Sequence, residues 1–304
     1  SFTGAGMARP TAAIVGPGRM GQGIALALKR RGYAIVLLGR GPRPVQPGLD
    51  LQVGHWGDAV AASELVLVAV PDDAIEDVAR RLADEGVVGS GHAVLHLSGL
   101  KDRSALSVLD ATGAALGSFH PLQTVADPAT AAERLKGVYV GIEGDARAID
   151  AADRLAKTLR MTPVVIPAAA KPAYHAAAVM AANFTIALAG TAQRIAESAG
   201  VPPDITGKIY LPLLQGAVAN IVELGAVRAL TGPVRRGDVT TIEGHLRGLG
   251  PDDQALYRLL SLAALDLAIK AGLEPDRVAA VRAALSGDGP PARAAKRPSR
   301  TAAK

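Results

Sequence analysis

The sequence predicts an α/β fold in which a doubly wound, mainly parallel sheet is followed by an all-α domain. Three observations support this prediction. Short β-branched runs alternate with longer amphipathic segments in the first half, which is typical of a parallel sheet with helices on both faces. A G-x-G-x-x-G motif directly follows the first of these runs. Alanine-rich helical segments without a strand pattern fill the second half.

The elements of the first half alternate along the chain. We expect strands at 12–15, 34–38, 65–70, 93–97, 115–119, 138–142 and 163–166. Helical patterns lie between several of them, at 20–31, 74–85, 105–112 and 147–159. In the second half, helices are expected at 172–199, 204–224, 239–247, 252–271 and 275–285.

Two prolines mark the predicted domain boundary. Pro167 and Pro172 flank the point where β-branched runs give way to alanine, so we place the domains at residues 10–167 and 168–288. Residues 1–9 are expected to be an expression scar and lead-in, because the start lacks the basic residues and apolar stretch of a signal peptide. Residues 289–304 are expected to form a disordered basic tail.

The net charge of the chain resides in this tail. The net charge is +5, and segment 290–304 holds five basic residues and no acidic one, which leaves 28 basic and 28 acidic residues elsewhere. A formally neutral folded body argues against specific nucleic-acid recognition. The absence of cysteine excludes disulfides and Cys-ligated metals, and no spacing of His or carboxylate residues indicates a metal site. We expect a cytoplasmic protein.

The uncharged segment 173–193 is long enough to span a bilayer. It consists mostly of alanine with interspersed polar residues, which insert poorly into a membrane. We therefore expect a buried helix of a soluble protein, packed in a homodimer through the helical domains, and no membrane contact.

The glycine motif is expected to bind a dinucleotide. Its residues are Gly16, Pro17, Gly18, Arg19, Met20 and Gly21. The first glycine permits a tight turn, the second lets the backbone approach a pyrophosphate, and the third allows close packing of helix and strand. A predicted strand precedes the motif and a predicted helix follows it, as the Rossmann fingerprint requires.

The end of the second predicted strand indicates which dinucleotide binds. NAD enzymes carry an acidic residue there, whereas this chain has Arg40, which together with Arg43 suits the 2′-phosphate of NADP. Val70 and Pro71 are expected to turn the chain over the cofactor, with Asp72 or Asp73 as a helix cap.

Together these features resemble the 6-phosphogluconate-dehydrogenase-like reductases, which include pyrroline-5-carboxylate reductase, prephenate dehydrogenase and ketopantoate reductase. The resemblance rests on the glycine motif, the arginine after strand two, Ala69-Val70-Pro71, a serine ending a later strand and the alanine-rich helical domain. Segments 119–124 and 232–238 are most similar to a Rossmann-plus-helical family of NADP oxidoreductases.

The resemblance implies a catalytic set. Ser98 and His120 are similar to the Ser and His of prephenate dehydrogenases, where a serine-held histidine works on the substrate hydroxyl. Lys171 and His175 resemble the Lys-x-x-x-Asn of hydroxyacid dehydrogenases and ketopantoate reductases, in which Lys is the usual proton donor, with His175 at the Asn position. Further substrate contacts are expected at Asn183, Arg236 and Thr240.

These residues also suit the chemistry without the resemblance. Reduction of a carbonyl or imine needs a proton donor and a polarising group, and His120 and Lys171 are both candidate donors. Lys171 precedes Pro172, a favoured first helical residue, so the helix N-terminus is expected to lower the pKa of Lys171. His96 lies in an apolar strand and is expected to be a hydrogen-bonded core residue, whereas His175 is as well explained by a buried helix position.

The sequence therefore predicts an NADPH-dependent oxidoreductase that reduces a small oxo acid or a cyclic imine in a cleft between the two domains. Ketopantoate reduction is the first specific hypothesis, and pyrroline-carboxylate reduction is the second. The alternative is a non-catalytic NADP-binding sensor or scaffold. Turnover with bound NADPH distinguishes these two classes.

Overall fold

Within residues 11–286, which the computed structural model describes, eight strands form one sheet. They are Thr11–Val15 (β1), Ala34–Gly39 (β2), Leu51–Val53 (β3), Leu65–Val68 (β4), Ala93–His96 (β5), Ala115–Pro121 (β6), Tyr139–Gly144 (β7) and Thr162–Val165 (β8). The order across the sheet is β3-β2-β1-β4-β5-β6-β7-β8. All neighbours are parallel except β6 and β7, which are antiparallel. The predicted α/β class is confirmed.

The edge strand β3 is the strand that sequence patterning does not predict. It has three residues and pairs with β2 alone. Such a short run cannot display an alternation of apolar and polar residues, so it carries no periodic signal.

Helices cover both faces of the sheet. Those of the first half are Arg19–Lys29 (α1), Gly57–Ala61 (α2), Ile75–Asp84 (α3), Ala131–Arg134 (α4) and Ala146–Thr158 (α5), and the predicted helix at 105–112 is instead a 3₁₀ segment, Arg103–Thr112. Alternate residues of β1 join two separate apolar clusters, with Ile14 in one and Val15 in the other. The sheet is therefore buried on both faces, which is why its central strands are mainly apolar.

The second half is helical, as predicted. Its helices are Lys171–Ala181 (α6), Asn183–Ser198 (α7), Pro203–Ile209 (α8), Leu211–Ala229 (α9), Gly232–Arg236 (α10), Val239–Gly248 (α11), Pro251–Lys270 (α12) and Pro275–Ser286 (α13). The chain divides into two compact units, the first ending at Phe184 and the second beginning at Thr185, so α6 is counted with the sheet. The second unit has its own apolar cluster, which includes Ile242, Leu265 and Val281. The predicted lead-in and basic tail lie outside the described residues.

Apolar side chains on α7 and α9 face solvent in the single chain. Ile186 is 72% exposed and Val222 is 83% exposed. The expected burial of segment 173–193 in a homodimer stays a prediction. Two helical stretches, Ala168–Ser198 and Pro203–Arg236, have the length and composition of membrane spans, which is weak evidence because core helices of soluble proteins share both properties.

Candidate active site

The glycine motif forms the turn between β1 and α1. Gly16 has a φ of +113°, and a Cβ at this position would lie 2.2 Å from the carbonyl oxygen of Ala69. A Cβ on Gly21 would lie 2.1 Å from the carbonyl oxygen of Gly16. Gly18, directly before α1, has open space where its Cβ would stand. The fold itself thus requires glycine at 16 and 21, while the space beside Gly18 is what a phosphate at a helix N-terminus needs.

A cavity of about 950 Å³ adjoins this turn. Predicted cofactor residues that line it are Gly16, Pro17, Gly18, Arg40, Val70 and Pro71. Arg19, Met20 and Gly21 form the first turn of α1. The cavity lies at the carboxyl ends of β1, β2 and β4, the edge where open α/β sheets bind ligands.

Two cavity residues, Trp56 and Arg81, are missed by the sequence reasoning. The guanidinium carbon of Arg81 lies 3.5 Å from the centroid of the Trp56 ring, a cation–π contact. Trp56 is buried and its Nε1 donates to the carbonyl oxygen of Gly39 at 3.2 Å. Arg40 and Arg43 also line the cavity, and Nε of Arg81 forms an ion pair with Oε1 of Glu85 at 3.0 Å. No local motif links α3 to the end of β2, so sequence alone gives no signal for Arg81.

Lys171 begins α6 and is 1% exposed. Its Nζ donates to the carbonyl oxygen of Ser98 at 3.0 Å and to Oγ of Ser118 at 2.8 Å. Burial lowers the pKa of Lys171, and the Glu143 carboxylate opposes this effect. The pKa shift has the predicted direction, and burial is its largest cause.

Ser98 does not hold His120, contrary to the sequence-based expectation. Its Oγ donates to Oδ2 of Asp72 at 2.8 Å and accepts from the backbone N–H groups of Leu100 and Lys101. The hydroxyl is occupied because the chain turns directly after Ser98, and a serine side chain readily satisfies the N–H groups of such a turn. The expectation that Asp72 or Asp73 caps the following helix is also wrong, since the Asp72 carboxylate binds Ser98 and α3 has no side-chain cap.

His120 pairs with Tyr174. Nδ1 of His120 and the Tyr174 hydroxyl lie 2.9 Å apart. The ring centroids of His120 and His175 are 5.7 Å apart, and a Cβ on Gly99 would meet both rings within 3 Å. The absence of a side chain at Gly99 therefore allows the two imidazoles to approach each other. Tyr174 lies on the same helix three residues after Lys171, and that spacing is a signal that could have identified it.

The protonation of this pair follows from its surroundings. Burial, together with the neighbouring His175 and Lys171, lowers the pKa of His120 to about 4, so its ring is neutral near pH 7. Burial raises the pKa of Tyr174, so the phenol keeps its proton. We therefore assign Tyr174 as donor to Nδ1 of His120, which leaves the ring proton on Nε2.

His96 has a structural role, which confirms the interpretation of this residue as part of the core. It is fully buried, its Nδ1 accepts from the backbone N–H of Ser98 at 3.2 Å, and its Nε2 lies 2.9 Å from the carbonyl oxygen of Asp102. Burial lowers its pKa to about 4, so the neutral ring fixes the loop that carries Ser98.

The three predicted substrate contacts lie at or near helix ends. Asn183 begins α7 and is exposed, Arg236 ends α10, and Thr240 lies exposed in the first turn of α11. They stay predictions. Within residues 11–286, no group of three or more His, Asp or Glu side chains is arranged to hold a metal ion.

The cluster formed by Asp72, Ser98, His120 and Lys171 is connected to the cavity through neighbouring residues in the sequence. Pro71 lines the cavity, and Asp72, the next residue, binds Ser98. Ser98 and His120 lie at the carboxyl ends of β5 and β6, on the same edge of the sheet as the glycine turn. A nucleotide-sized cavity and a group of ionisable side chains therefore share one edge.

Comparison with known families agrees with this architecture. A Rossmann-like domain matches residues 3–121, and a domain of unknown function, DUF2520, matches residues 138–264. The first match covers most of the strand-rich half of the chain, and the second runs from the last two strands into the helical half.

Solved structures share the fold across most of this chain. A protein from Thermotoga maritima is 26% identical with a TM-score of 0.65, covering 86% of this chain and 99% of the other. A candidate NADP oxidoreductase from Bacteroides fragilis is 23% identical with a TM-score of 0.66, covering 85% and 98%. An imine reductase from Myxococcus stipitatus in complex with NADP⁺ is 20% identical with a TM-score of 0.56, covering 86% and 95%.

Curated relatives match over a shorter stretch. A glycerol-3-phosphate dehydrogenase [NAD(P)⁺] from Pectobacterium carotovorum is 29% identical over 147 residues, which cover 42% of this chain and 43% of the relative. The match thus spans less than half the length of these relatives.

Proposed function

We propose that this protein is an NADPH-dependent oxidoreductase that reduces a small oxo acid or a cyclic imine. The observation that carries the proposal is the shared sheet edge of the Gly16–Gly21 turn, its cavity and the buried Lys171–His120 cluster. The solved structures with this fold include a candidate NADP oxidoreductase and an imine reductase in complex with NADP⁺, which supports the same class.

The cavity suits the pyrophosphate and the 2′-phosphate of a nicotinamide dinucleotide. Gly18 leaves room for a pyrophosphate at the N-terminus of α1, where backbone N–H groups and the helix dipole favour an anion. Arg40, Arg43 and Arg81 offer guanidinium groups to a 2′-phosphate, and β2 ends without the acidic residue that would favour NAD. We therefore propose NADPH rather than NADH.

Lys171 is the proposed proton donor. An ammonium group has three N–H donors, and the carbonyl of Ser98 and the hydroxyl of Ser118 take two of them, which leaves one for the acceptor atom of a substrate. His120 is less suited, because its neutral ring near pH 7 has no spare proton to transfer. We therefore propose Lys171 for the donor role that the sequence left open between the two residues.

His120 has the complementary role of orienting and polarising the acceptor. With Nδ1 occupied by Tyr174, its Nε2–H is available, and no group in the described part of the chain hydrogen-bonds to it. A neutral imidazole can donate this hydrogen bond to a carbonyl oxygen or an imine nitrogen without giving up its proton. The bound nicotinamide supplies the hydride, while Lys171 and His120 serve the oxygen or nitrogen.

Two substrate classes fit these roles. The Lys171 and His175 spacing favours a ketopantoate-like oxo acid, and the fold shared with imine reductases favours a cyclic imine such as pyrroline-carboxylate. Both present a C=O or C=N group that accepts a hydride on carbon and a proton on the heteroatom.

We also propose that the protein is a cytoplasmic homodimer that associates through its helical unit. The apolar residues exposed on α7 and α9 of the single chain support this assembly, because monomeric proteins rarely expose patches of this kind. The alternative function is a non-catalytic NADP-binding sensor. Such a protein would bind NADP in the same cavity but would have no chemical role for the buried Lys171.

The decisive experiment is a screen of oxo acids and cyclic imines that follows NADPH absorbance. Turnover with one of them, lost in Lys171→Met while NADPH binding persists, is the expected result. A protein that binds NADPH but reduces no member of the panel would favour the sensor, and a protein that does not bind NADPH would exclude both functions.

A further inference from the structure

The ammonium of Lys171 is buried without a direct ion pair. It is 1% exposed, and none of the ion pairs found in residues 11–286 includes it. A buried charge that has only neutral partners is costly, so a lysine in this position either loses its proton or is compensated by a nearby anion.

A chain of two hydrogen bonds connects Lys171 to such an anion. Ser118, which is fully buried, accepts from Nζ of Lys171 at 2.8 Å and donates to Oε2 of Glu143 at 3.2 Å. A hydroxyl can accept and donate at once, so it can join a cation to a carboxylate. Ser118 and Glu143 lie opposite each other in the antiparallel β6–β7 pair, which fixes the contact through the sheet register.

Glu143 is itself held in place. It is 6% exposed, and its Oε1 accepts from the backbone N–H of Arg103 at 3.2 Å. A buried carboxylate needs a positive partner as much as a buried ammonium needs a negative one. The two charges therefore compensate each other across one hydroxyl.

Other ionisable groups near Lys171 are already engaged or neutral. Asp72 binds the Ser98 hydroxyl, and Asp102 accepts from the backbone N–H of Ser104. Two further neighbours, His96 and His120, have neutral rings near pH 7. Among the carboxylates that raise the pKa of Lys171, Glu143 acts most strongly, ahead of Asp102 and Asp72.

We propose that Glu143 is a positioning residue that acts through Ser118 to keep Lys171 charged and fixed as the proton source of the reduction. This inference rests on the proposed function, since it takes Lys171 as the donor. In the step itself, the N–H bond of Lys171 breaks, its proton bonds to the acceptor oxygen or nitrogen, and the neutral amine regains a proton from water. A fixed carboxylate favours this recharging, because it stabilises the ammonium over the amine.

The test measures the titration of Lys171 directly by NMR of protein labelled with ¹³C at the lysine ε carbon, with Lys171→Met to assign the signal. Glu143→Gln keeps the shape of the side chain and removes its charge, and should lower the titration midpoint of Lys171 by about one to two pH units, as expected for losing an opposite charge one hydroxyl away. Glu143→Asp, which keeps the charge, should restore most of this shift. The matched control is Glu64→Gln. It removes an exposed carboxylate directly before β4, at the end of that strand away from the glycine turn, and should leave the titration midpoint of Lys171 unchanged.

A double-mutant cycle covers the case in which Glu143→Gln folds poorly. The variant combining Lys171→Met with Glu143→Gln should melt at a higher temperature than Glu143→Gln alone, because it no longer buries a lone ammonium. A double variant no more stable than Glu143→Gln would overturn the proposal, and so would an unchanged titration midpoint of Lys171 in the single variant Glu143→Gln. Neither measurement needs turnover. A shifted midpoint of Lys171 in a protein without reductase activity would therefore reject the proposed function and support the charge pair. Turnover with an unshifted midpoint would support the proposed function and reject the charge pair.

Discussion

Substitution of Gly18 separates a ligand-binding turn from a merely structural one. Gly16 and Gly18 stand two residues apart in the same turn, yet only Gly16 is required by the fold. Gly18→Ala should therefore leave the protein stable and weaken NADPH binding, whereas Gly16→Ala should damage the fold itself.

The expected magnitudes follow from the local geometry. Gly18 has φ −75° and ψ 179°, which alanine adopts freely, and no atom lies within 4 Å of the position that its Cβ would take, so the substitution should cost at most about 1 kcal/mol from the poorer helix cap. Gly16→Ala combines a positive φ, worth about 1–3 kcal/mol, with a Cβ placed 2.2 Å from the Ala69 carbonyl oxygen. It should remove several kcal/mol from a total stability of about 5–15 kcal/mol.

Gly18→Ala, which should barely change the stability, should weaken NADPH binding. The Cβ of Gly18→Ala projects into the space proposed for the pyrophosphate, so we expect NADPH affinity to fall at least about tenfold, equivalent to about 1.4 kcal/mol. Thermal unfolding and nicotinamide fluorescence titration measure the two effects. Gly89→Ala is the matched control, since its Cβ also meets open space but Gly89 does not line the cavity. Undiminished NADPH binding by Gly18→Ala would refute the phosphate assignment.

Further predictions follow from the site. Arg40→Asp should erase most of a preference for NADPH over NADH, a change of about 2–3 kcal/mol measured by competitive titration, and equal affinities in the unmodified protein would contradict the assignment. Lys171→Met should lower kcat about 10²–10⁴-fold and leave the NADPH Kd nearly unchanged, and a parallel loss of both would argue against an acid role. Light scattering should show a homodimer, and a monomer at micromolar concentration would count against it. His96 has its pKa lowered from 6.5 to about 4, so the unfolded chain binds more protons in that window. Urea unfolding should thus show stability falling as the pH drops from 6.5 to 4, by about 3 kcal/mol from His96 and by a similar amount from His120, whose pKa is lowered to about 4 as well, and a flat profile would be inconsistent with buried neutral rings.

The sheet can be predicted from sequence because its central strands are buried on both faces. β1 and β4 are continuous apolar runs, and the glycine turn fixes where the first strand ends. The boundaries of the other long strands deviate by only a few residues. β3 escapes prediction because three edge residues carry no period, and Arg103–Thr112 resembles an α-helix in sequence because 3₁₀ and α segments share apolar spacings over so short a length.

The site is less accessible from sequence, since its contacts depend on register rather than on motif. Ser98 and His120 both end strands, which suggests that they touch, but a turn directs the Ser98 hydroxyl to Asp72 instead. Glu143 lies beyond the predicted end of its strand, and only the antiparallel pairing of β6 with β7 places it opposite Ser118. Sequence spacing cannot supply that pairing.

The choice between the two candidate proton donors shows how burial acts differently on similar groups. Both Lys171 and His120 are cations when protonated, and burial lowers the pKa of each. The ordinary pKa of an imidazole is close to 7, so a lowered pKa leaves the ring neutral at that pH. The ordinary pKa of an amine is several units higher, so its pKa can fall by some units while the amine stays protonated. Glu143 raises the pKa of Lys171 and so opposes the effect of burial, and Tyr174 fixes the neutral ring of His120 in one orientation. A cluster that combines a compensated ammonium with an oriented neutral imidazole has one group to give a proton and another to hold the acceptor, which is the division of labour that reduction of a carbonyl or imine requires.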